Sequence, residues 1–325
     1  MKKEDLRIVF MGTPEFAVET LQVLVENNYQ VMAVVTQPDK PVGRHQTEMQ
    51  PSAVKQYAVE HGLPVLQPEK MKDPVFVEQL RSYNANLQVV VAFRMLPEVV
   101  WAMPEYGTFN VHAALLPQYR GAAPINWAVI NGETETGVTT FFLDHDIDTG
   151  RIIMKKHFPI PDDADVEYVY DGLMHLGARL CLETIDAIIA ADGHPHTEAQ
   201  PHVLDGSAIK LAPKIFKETC EINWQKSAKQ VYDFVRGLSP YPGAWTTLVS
   251  PDGKETVLKV FKTRKTGLKG QSSGTITIDG KHLFVSAEDE LLELVELQLA
   301  GKKRMAATDF LNGMKQLDNY CVKQI

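Results

Sequence analysis

Strand-like and helix-like segments alternate through residues 1–191, and this alternation limits the possible folds more than any other feature of the chain. Short β-rich runs at Arg7–Met11, Val31–Thr36 and Leu87–Ala92 are separated by amphipathic stretches of helical period. The run at Leu87–Ala92 is almost entirely apolar, which is typical of a strand buried on both faces of a parallel sheet. Strands joined by crossover helices predict an α/β fold with a doubly wound, Rossmann-like sheet.

The pattern changes after residues 192–206, a stretch rich in glycine and proline that we interpret as a linker. A predicted helix at Ser227–Gly237 is followed by five short strand-like runs between residues 244 and 297, separated by glycine and polar turns. So many short strands in so few residues favour a small closed β-barrel of the OB type. The sequence therefore predicts two domains, residues 1–191 and residues 207–325, joined by the linker.

The two parts of the chain also differ in charge. Residues 1–205 contain 15 Lys and Arg against 28 Asp and Glu, which is a net charge of −13. Residues 206–325 contain 18 against 13, which is +5, and the two values add to the −8 of the whole chain. A basic part attached to an acidic part favours contact with a polyanion, and drift in surface composition is the alternative.

The remaining composition indicates a soluble protein of the cytoplasm. No apolar run approaches the roughly 18 residues that a membrane-spanning helix requires. The N-terminal lysines are followed at once by acidic residues, unlike a signal or transit peptide. The three cysteines are scattered and form no C-x-x-C pair, which favours a reducing compartment and argues against structural zinc or disulfides. We expect no membrane contact and no bound metal.

Two polar residues, Asn110 and His112, interrupt a strand-like run at Thr108–His112. Because they lie two positions apart on a strand, their side chains project from the same face. A buried strand normally carries apolar residues at such positions, so the pair needs either hydrogen-bond partners or a chemical role. A satisfied polar pair at the end of a strand is the alternative.

Two loops follow predicted strands in this region. In doubly wound sheets the ligand crevice lies at the carboxyl ends of the strands, where residues 115–124 should lie. Residues 143–150 form a second, acidic loop after another predicted strand. This loop lacks the glycine and the downstream glutamate of an EF-hand loop, so we expect Asp144 and Asp146 to lie in a solvated turn.

Three motifs stand out in and around these loops: residues 110–117 (NVHAALLP), 120–124 (RGAAP) and 148–150 (DTG). Together they resemble the 10-formyltetrahydrofolate-dependent formyltransferases. Further segments narrow the resemblance to the branch of that family that acts on methionyl initiator tRNA. These segments are residues 10–16, 36–44, 133–139 and 297–303. The resemblance covers essentially the whole chain, including the predicted C-terminal domain.

The resemblance implies that Asn110, His112 and Asp148 form the catalytic set. The chemistry agrees, because formyl transfer from a folate nitrogen to an amine passes through a tetrahedral intermediate with a developing oxyanion. Asn110 and protonated His112 can donate hydrogen bonds to that oxygen, and such donors contribute about 3–4 kcal/mol each. Asp148 would orient His112 and relay protons. The reaction needs 10-formyltetrahydrofolate as co-substrate and no metal.

The resemblance also implies a folate site made by residues 93–96, residues 114–117 and the backbone of the loop 143–148, and the chain departs from the family pattern in the first two. Position 114 is Ala where the family usually has Ser. Residues 93–96 replace the more usual Tyr-Gly segment and are closer to the glycinamide ribonucleotide transformylases. Arg94 either contacts the folate or forms a surface salt bridge. The expected co-substrate-binding residues are Phe93, Arg94, Met95, Leu96, Ala114, Leu115, Leu116 and Pro117.

An insertion at residues 37–50 and two basic clusters in the C-terminal part are the candidates for contact with tRNA. The resemblance implies that Arg44, in the insertion, reaches the acceptor end. Basic stripes on an OB-like barrel favour phosphate contacts, and a mobile surface loop and a solvated charged face are the alternatives. The expected tRNA-binding residues are Arg44, Lys262, Arg264, Lys265, Lys302, Lys303 and Arg304. We expect the protein to act as a monomer.

Three other functions are compatible with parts of the sequence. A nicotinamide-dependent oxidoreductase would share the sheet, but residues 12–16 (GTPEF) lack the G-x-G-x-x-G turn that lets backbone approach a pyrophosphate. An inert RNA-binding module would leave the Asn-His-Asp set without purpose. Formyl transfer to a small amine, either an amino sugar or glycinamide ribonucleotide, stays open, although such an enzyme needs no basic C-terminal barrel.

Overall fold

A computed structural model of the chain describes residues 1–42, 48–201, 208–314 and 316–323. The chain forms two compact units, of which the first comprises residues 1–121, 135–159 and 170–212. The second comprises residues 122–134, 160–169 and 213–325. These units group the chain by spatial contact, whereas the boundaries 1–191 and 207–325 divide it by sequence and stay a prediction.

The sequence up to residue 212 forms eleven strands and six α-helices within the described ranges, besides a 3₁₀ helix at Lys3–Asp5. In chain order they are β1 (Arg7–Gly12), α1 (Glu15–Glu26), β2 (Gln30–Val35), β3 (Lys40–Val42), β4 (Glu48–Gln50), α2 (Ala53–Glu60), β5 (Val65–Leu66), α3 (Pro74–Ser82), β6 (Leu87–Val91), α4 (Glu98–Trp101), β7 (Thr108–His112), β8 (Arg120–Gly121), α5 (Pro124–Ile130), β9 (Glu135–Phe142), β10 (Ile152–Pro159), α6 (Val166–Ala190) and β11 (Leu211–Ala212). No helix among the described residues is long and apolar enough to cross a membrane.

The first unit is built on a seven-stranded sheet in the order β10-β9-β7-β6-β1-β2-β5. Strands β5, β2, β1, β6 and β7 are parallel, whereas β9 and β10 add antiparallel strands at one edge. Every residue of β6 is buried, as its apolar run predicts. Val9 and Val90 pack with residues of α3 and α4 on one face, and Gly177 of α6 lies against Val111 on the opposite face. The predicted doubly wound α/β sheet is therefore confirmed.

The second unit contains an antiparallel sheet in the order β14-β15-β16-β13-β12-β18, with β17 paired to β16. A bridge between Thr275, next to β14, and Cys321 of β18 joins the two ends of this order, so the sheet curls into the small barrel that was predicted. In addition to α5, its α-helices and strands are α7 (Ala228–Gly237), β12 (Ala244–Val249), β13 (Glu255–Lys269), β14 (Ile276–Asp279), β15 (His282–Ser286), β16 (Glu290–Leu299), β17 (Met305–Ala306), α8 (Ala307–Gly313) and β18 (Cys321–Val322).

Helix α7 also binds two segments of the second unit that come from the N-terminal half of the sequence. Asn126 of α5 donates to the carbonyl oxygen of Gly237 over 2.9 Å, and a Cβ at Gly237 would lie 2.6 Å from Ile130. Arg236 is buried, pairs with Asp233 and donates to the carbonyl oxygen of Ala164 over 2.9 Å. The second unit is therefore not made by the C-terminal sequence alone.

Candidate active site

Strand β7 carries two of the three predicted catalytic residues, Asn110 and His112. His112 is buried and Asn110 is half-buried. The Oδ1 atom of Asn110 is buried and has no hydrogen-bond partner among the described residues. An unpaired buried acceptor destabilises the free protein by about 1–3 kcal/mol, so it marks a place where a ligand can supply the missing donor.

The ring of His112 is held by the backbone. Its Nε2 atom lies 3.0 Å from the carbonyl oxygen of Tyr119. A carbonyl oxygen only accepts hydrogen bonds, so Nε2 carries the hydrogen and Nδ1 is the nitrogen that can gain or lose a proton. Nδ1 faces the Oδ2 atom of Asp148 at 3.9 Å, which is beyond direct hydrogen-bond distance. Tyr119 rather than Asp148 therefore makes the direct contact that orients the ring.

Asp148 reaches this strand from the loop between β9 and β10. β9 runs antiparallel to β7, so the loop begins next to the start of β7 and returns to His112, the last residue of that strand. Asp148 has a φ of +55°, in the left-handed region that non-glycine residues rarely adopt. Its Oδ2 atom accepts a hydrogen bond from the backbone N–H of Gly121 over 2.9 Å. The structure thus brings Asn110, His112 and Asp148 together.

One side chain in this arrangement was missed by the sequence analysis. Gln200 lies in the stretch that was interpreted as a linker, and its Nε2 donates to the carbonyl oxygens of Asp148 and Gly150 over 2.9 and 2.7 Å. Its Oε1 accepts from Nε and Nη2 of Arg120 over 3.2 and 2.7 Å. Sequence offered no signal for this, because an isolated glutamine in a polar stretch is indistinguishable from a surface residue.

The first predicted folate segment, residues 114–117, is anchored by a threonine. The Thr139 hydroxyl donates to the carbonyl oxygen of Ala114 over 2.7 Å and accepts from the N–H of Leu116 over 3.1 Å. Ala114, Leu116 and Pro117 are buried, and Leu115 is half-buried. The segment therefore has a defined backbone path that does not depend on a serine at position 114.

The second predicted folate segment, residues 93–96, lies after β6. Arg94 donates to the backbone carbonyl oxygens of Pro68 and Glu69, and no carboxylate lies within ion-pair distance of it in the described ranges. Burial lowers the pKa of its guanidinium, and its Nε atom is buried without a partner. Met95 is exposed, whereas Leu96 is buried in the core beside the sheet and Phe93 packs against that core.

The acidic loop 144–149 forms a turn that is closed by its own hydrogen bonds. Oδ1 of Asp144 accepts from the backbone N–H of Asp146 over 3.2 Å and from the hydroxyl of Thr149 over 2.8 Å. Asp144 and Asp146 are exposed, as expected for a solvated turn. In the parts of the chain that the structure describes, no three His, Cys, Asp or Glu residues stand close enough to hold a metal ion.

The root of the insertion 37–50 is tied down by a polar network. Asp39 accepts hydrogen bonds from Nζ of Lys55 over 2.6 Å and from Nε2 of Gln67 over 2.7 Å. These donors lower the pKa of the Asp39 carboxyl, the Lys55 contact most strongly. Strands β3 and β4 then pair as a hairpin stem. Arg44 lies outside the described residues.

The basic residues of the second unit fall into two groups. Arg264 pairs with Glu293 at 2.9 Å, Lys265 with Asp162 at 2.8 Å, and Arg304 with Glu296 at 2.7 Å. Hydrogen bonding to Asp162 raises the pKa of Lys265. Within the described ranges the remaining three predicted phosphate-binding residues are exposed and have no carboxylate within ion-pair distance. These are Lys262, Lys302 and Lys303.

The sequence of the chain matches two models of one protein family. The Formyl transferase model matches residues 6–185, and the model of the Formyl transferase C-terminal domain matches residues 214–315. A methionyl-tRNA formyltransferase of Parabacteroides distasonis is 61% identical over 99% of this chain and 100% of its own length. One of Bacteroides fragilis is 55% identical over the full length of both chains.

A solved structure shares the fold at much lower identity. A sugar 3N-formyl transferase, crystallised in the presence of dTDP and 5-N-formyl-THF, has a TM-score of 0.63 and 18% identity over 92% of this chain and 99% of that one. This likeness concerns the fold alone. The full-length identity to curated relatives and the two family matches show that the chain belongs to the methionyl-tRNA formyltransferases.

Proposed function

We propose that the chain transfers the formyl group of 10-formyltetrahydrofolate to the α-amino group of methionyl initiator tRNA. Identity of 61% to a full-length methionyl-tRNA formyltransferase supports the reaction and the acceptor. The structural observation that supports the proposal best is that Asn110, His112 and Asp148 lie together. In this arrangement Oδ1 of Asn110 has no hydrogen-bond partner among the described residues. Nδ1 of His112 lies too far from Asp148 for a direct hydrogen bond.

The proposed chemistry uses these three side chains. The amine nitrogen attacks the formyl carbon, and the carbonyl electron pair moves onto oxygen, where Nδ2 of Asn110 and protonated Nδ1 of His112 donate hydrogen bonds. Collapse reforms the carbonyl and breaks the bond to the folate nitrogen. That nitrogen gains a proton and the amine loses one, so the His112–Asp148 pair ends with as many protons as it began.

The co-substrate would lie against the two segments already described. The unpaired Oδ1 of Asn110 supports a ligand that brings an N–H donor into this corner of the sheet. We propose that residues 114–117 line the pocket mainly through backbone. Phe93, Arg94 and Met95 offer side chains there, whereas the buried side chain of Leu96 leaves only its backbone for contact.

The tRNA would be bound by the insertion and by the barrel. We propose residues 1–191 as the catalytic domain, 192–206 as the linker and 207–325 as the tRNA-binding domain, acting as a monomer in the cytoplasm. The exposed lysines Lys262, Lys302 and Lys303 support phosphate contacts, because a cation without an acidic partner can pair with a phosphate at no cost in broken ion pairs. Arg44 would contact the acceptor end.

The decisive experiment offers the full chain 10-formyltetrahydrofolate with three acceptors in parallel. These are methionyl initiator tRNA, methionyl elongator tRNA and glycinamide ribonucleotide. We expect formylation of the initiator tRNA in clear preference to the other two. Formylation of glycinamide ribonucleotide alone would show that the acceptor is this small amine and not a tRNA. No formylation of any acceptor would contradict the proposed activity.

A further inference from the structure

We infer that Gln200 is a positioning residue for formyl transfer, because it joins the backbone that carries Asp148 to the segment that holds His112. The inference rests on the proposed role of Asp148. The side chain of Gln200 makes no hydrogen bond to the side chain of His112 or Asp148; it acts through the backbone of Asp148 and through Arg120.

The amide of Gln200 is fully used in these contacts. Both N–H groups are committed, one to the carbonyl oxygen of Asp148 and one to that of Gly150. The oxygen accepts two N–H groups of one guanidinium, that of Arg120. A glutamine amide has two donors and two acceptor sites, so each is matched and the orientation of the group is defined.

Three consecutive residues connect Gln200 to the rest of this arrangement. The carbonyl oxygen of Tyr119 accepts from His112, the side chain of Arg120 donates to Gln200, and the N–H of Gly121 donates to Asp148. This segment is itself fixed, since β8 pairs with β11 and the N–H of Tyr119 donates to the carbonyl oxygen of Lys210 over 2.7 Å. Gln200 therefore ties the Asp148 loop to the same support that holds His112.

The loop needs such a tie because its conformation is strained. Asp148 has a φ of +55°, in the left-handed region that residues with a side chain adopt rarely, so its surroundings help to hold it there. A Cβ at Gly150 would clash with the carbonyl oxygen of Phe142, so the loop also passes very close to β9. Without the Gln200 contacts, the carbonyl of Asp148 is free to turn, and the carboxylate moves relative to Nδ1 of His112. A misplacement of about 1 Å in a catalytic group can lower turnover by up to about 10²-fold.

The first test compares Gln200→Ala and Gln200→Glu in the full chain with the matched control Thr197→Ala. Glutamate at position 200 can still accept hydrogen bonds from Arg120 but cannot donate to the carbonyl oxygens of Asp148 and Gly150. This variant therefore separates the contact with Arg120 from the contact with the loop. Thr197 lies three residues earlier and accepts hydrogen bonds from the side chain of Arg151, which directly follows the loop, but it makes no hydrogen bond to the backbone of Asp148 or Gly150. We expect both Gln200 variants to lower kcat by about tenfold with little change in KM for folate or tRNA, and Thr197→Ala to leave kcat unchanged.

The second test distinguishes positioning from general destabilisation. If Gln200 acts through Asp148, Gln200→Ala should change kcat by less than about twofold in an Asp148→Ala background, because coupled residues are not additive. The same fractional loss in both backgrounds would overturn the inference and leave the role of Asp148 intact. Full activity of Asp148→Ala alone would instead contradict the proposed role of Asp148, and with it the inference.

Discussion

His112 donates a hydrogen bond from Nε2 to the carbonyl oxygen of Tyr119 over 3.0 Å, and this contact assigns separate tasks to the two ring nitrogens. Nε2 is committed to holding the ring. Nδ1, which faces Asp148 at 3.9 Å, is left for proton exchange and for contact with the substrate. The gap between Nδ1 and the carboxylate is wide enough that a substrate atom or a water molecule is needed to join them.

Substitution of either member of this pair should stop the chemistry and spare folate binding. We expect His112→Ala and Asp148→Ala each to lower kcat by at least about 10²-fold, because each removes a charged group at the reacting centre. Folate affinity should change little, since the proposed pocket does not use the side chains of His112 and Asp148. The control is Asp146→Ala, an exposed carboxylate of the same loop. Near-normal turnover in either folded variant would show that the catalytic set is misassigned.

Arg44→Ala should weaken the reaction with initiator tRNA and leave the folate site intact. The physical reason is the loss of a cation that the proposal places at the acceptor end. The measurement is kcat/KM for initiator tRNA beside KM for 10-formyltetrahydrofolate. Unchanged kcat/KM for tRNA would show that Arg44 does not contribute to the reaction with tRNA.

Loss of the ion pair at the base of the insertion should also weaken the reaction with tRNA. Asp39→Asn removes the charge that pairs with Lys55, so the hairpin stem is held less firmly and KM for tRNA should rise. Because the pKa of Asp39 is lowered in the folded chain, the ion pair is fully present above the ordinary pKa of an aspartate, about 3.9, and disappears as the pH falls through the lowered value. Thus the effect should be complete at neutral pH. Glu60→Gln on the neighbouring helix is the control, and a rise in KM equal to that of Asp39→Asn would contradict this explanation.

The unpaired lysines of the barrel should bind tRNA more than the paired cations do. Alanine at Lys302 and Lys303 should flatten the dependence of log affinity on log salt by roughly 0.9 for each duplex phosphate that the protein no longer neutralises. Alanine at Arg264 or Arg304 should change it less, because these cations already pair with Glu293 and Glu296. The measurement is tRNA affinity at several salt concentrations. Equal changes in slope for both groups would show that ion pairing does not decide which cations bind.

Removal of metal ions should leave the rate unchanged. The proposed reaction needs no Lewis acid, because the formyl group is already bound to a good leaving nitrogen and the oxyanion has two protein donors. Dialysis against a strong chelator followed by assay is the measurement. A loss of activity that zinc restores would contradict this expectation and would make the loop 144–148 a candidate metal site.

Point variants are better probes of the barrel than truncation. Removing the chain beyond residue 206 would strip α7 from its neighbours Ile130 and Ala164, which come from the N-terminal half of the sequence. The exposed apolar and unpaired polar groups would then reduce activity whether or not the barrel binds tRNA.

The sequence alone determined those features that depend on the periodicity of apolar residues and on the spacing of residues within one element. The apolar run of β6 predicts a buried parallel strand, and the two-residue spacing of Asn110 and His112 places both on one face, because alternation along a strand needs no knowledge of the partner. Capping of α7 by Ser227 is local in the same way.

Only the tertiary structure decided which distant groups meet. Gln200 bonds Arg120, 80 positions away, and its role depends on where packing puts both backbones rather than on any property of a glutamine. The same holds for the carbonyl of Tyr119 at His112 and for the carboxylates that neutralise Arg264, Lys265 and Arg304. A polar side chain or a backbone carbonyl can form hydrogen bonds or ion pairs with many different partners. The packing of the core decides which of these partners lies within reach.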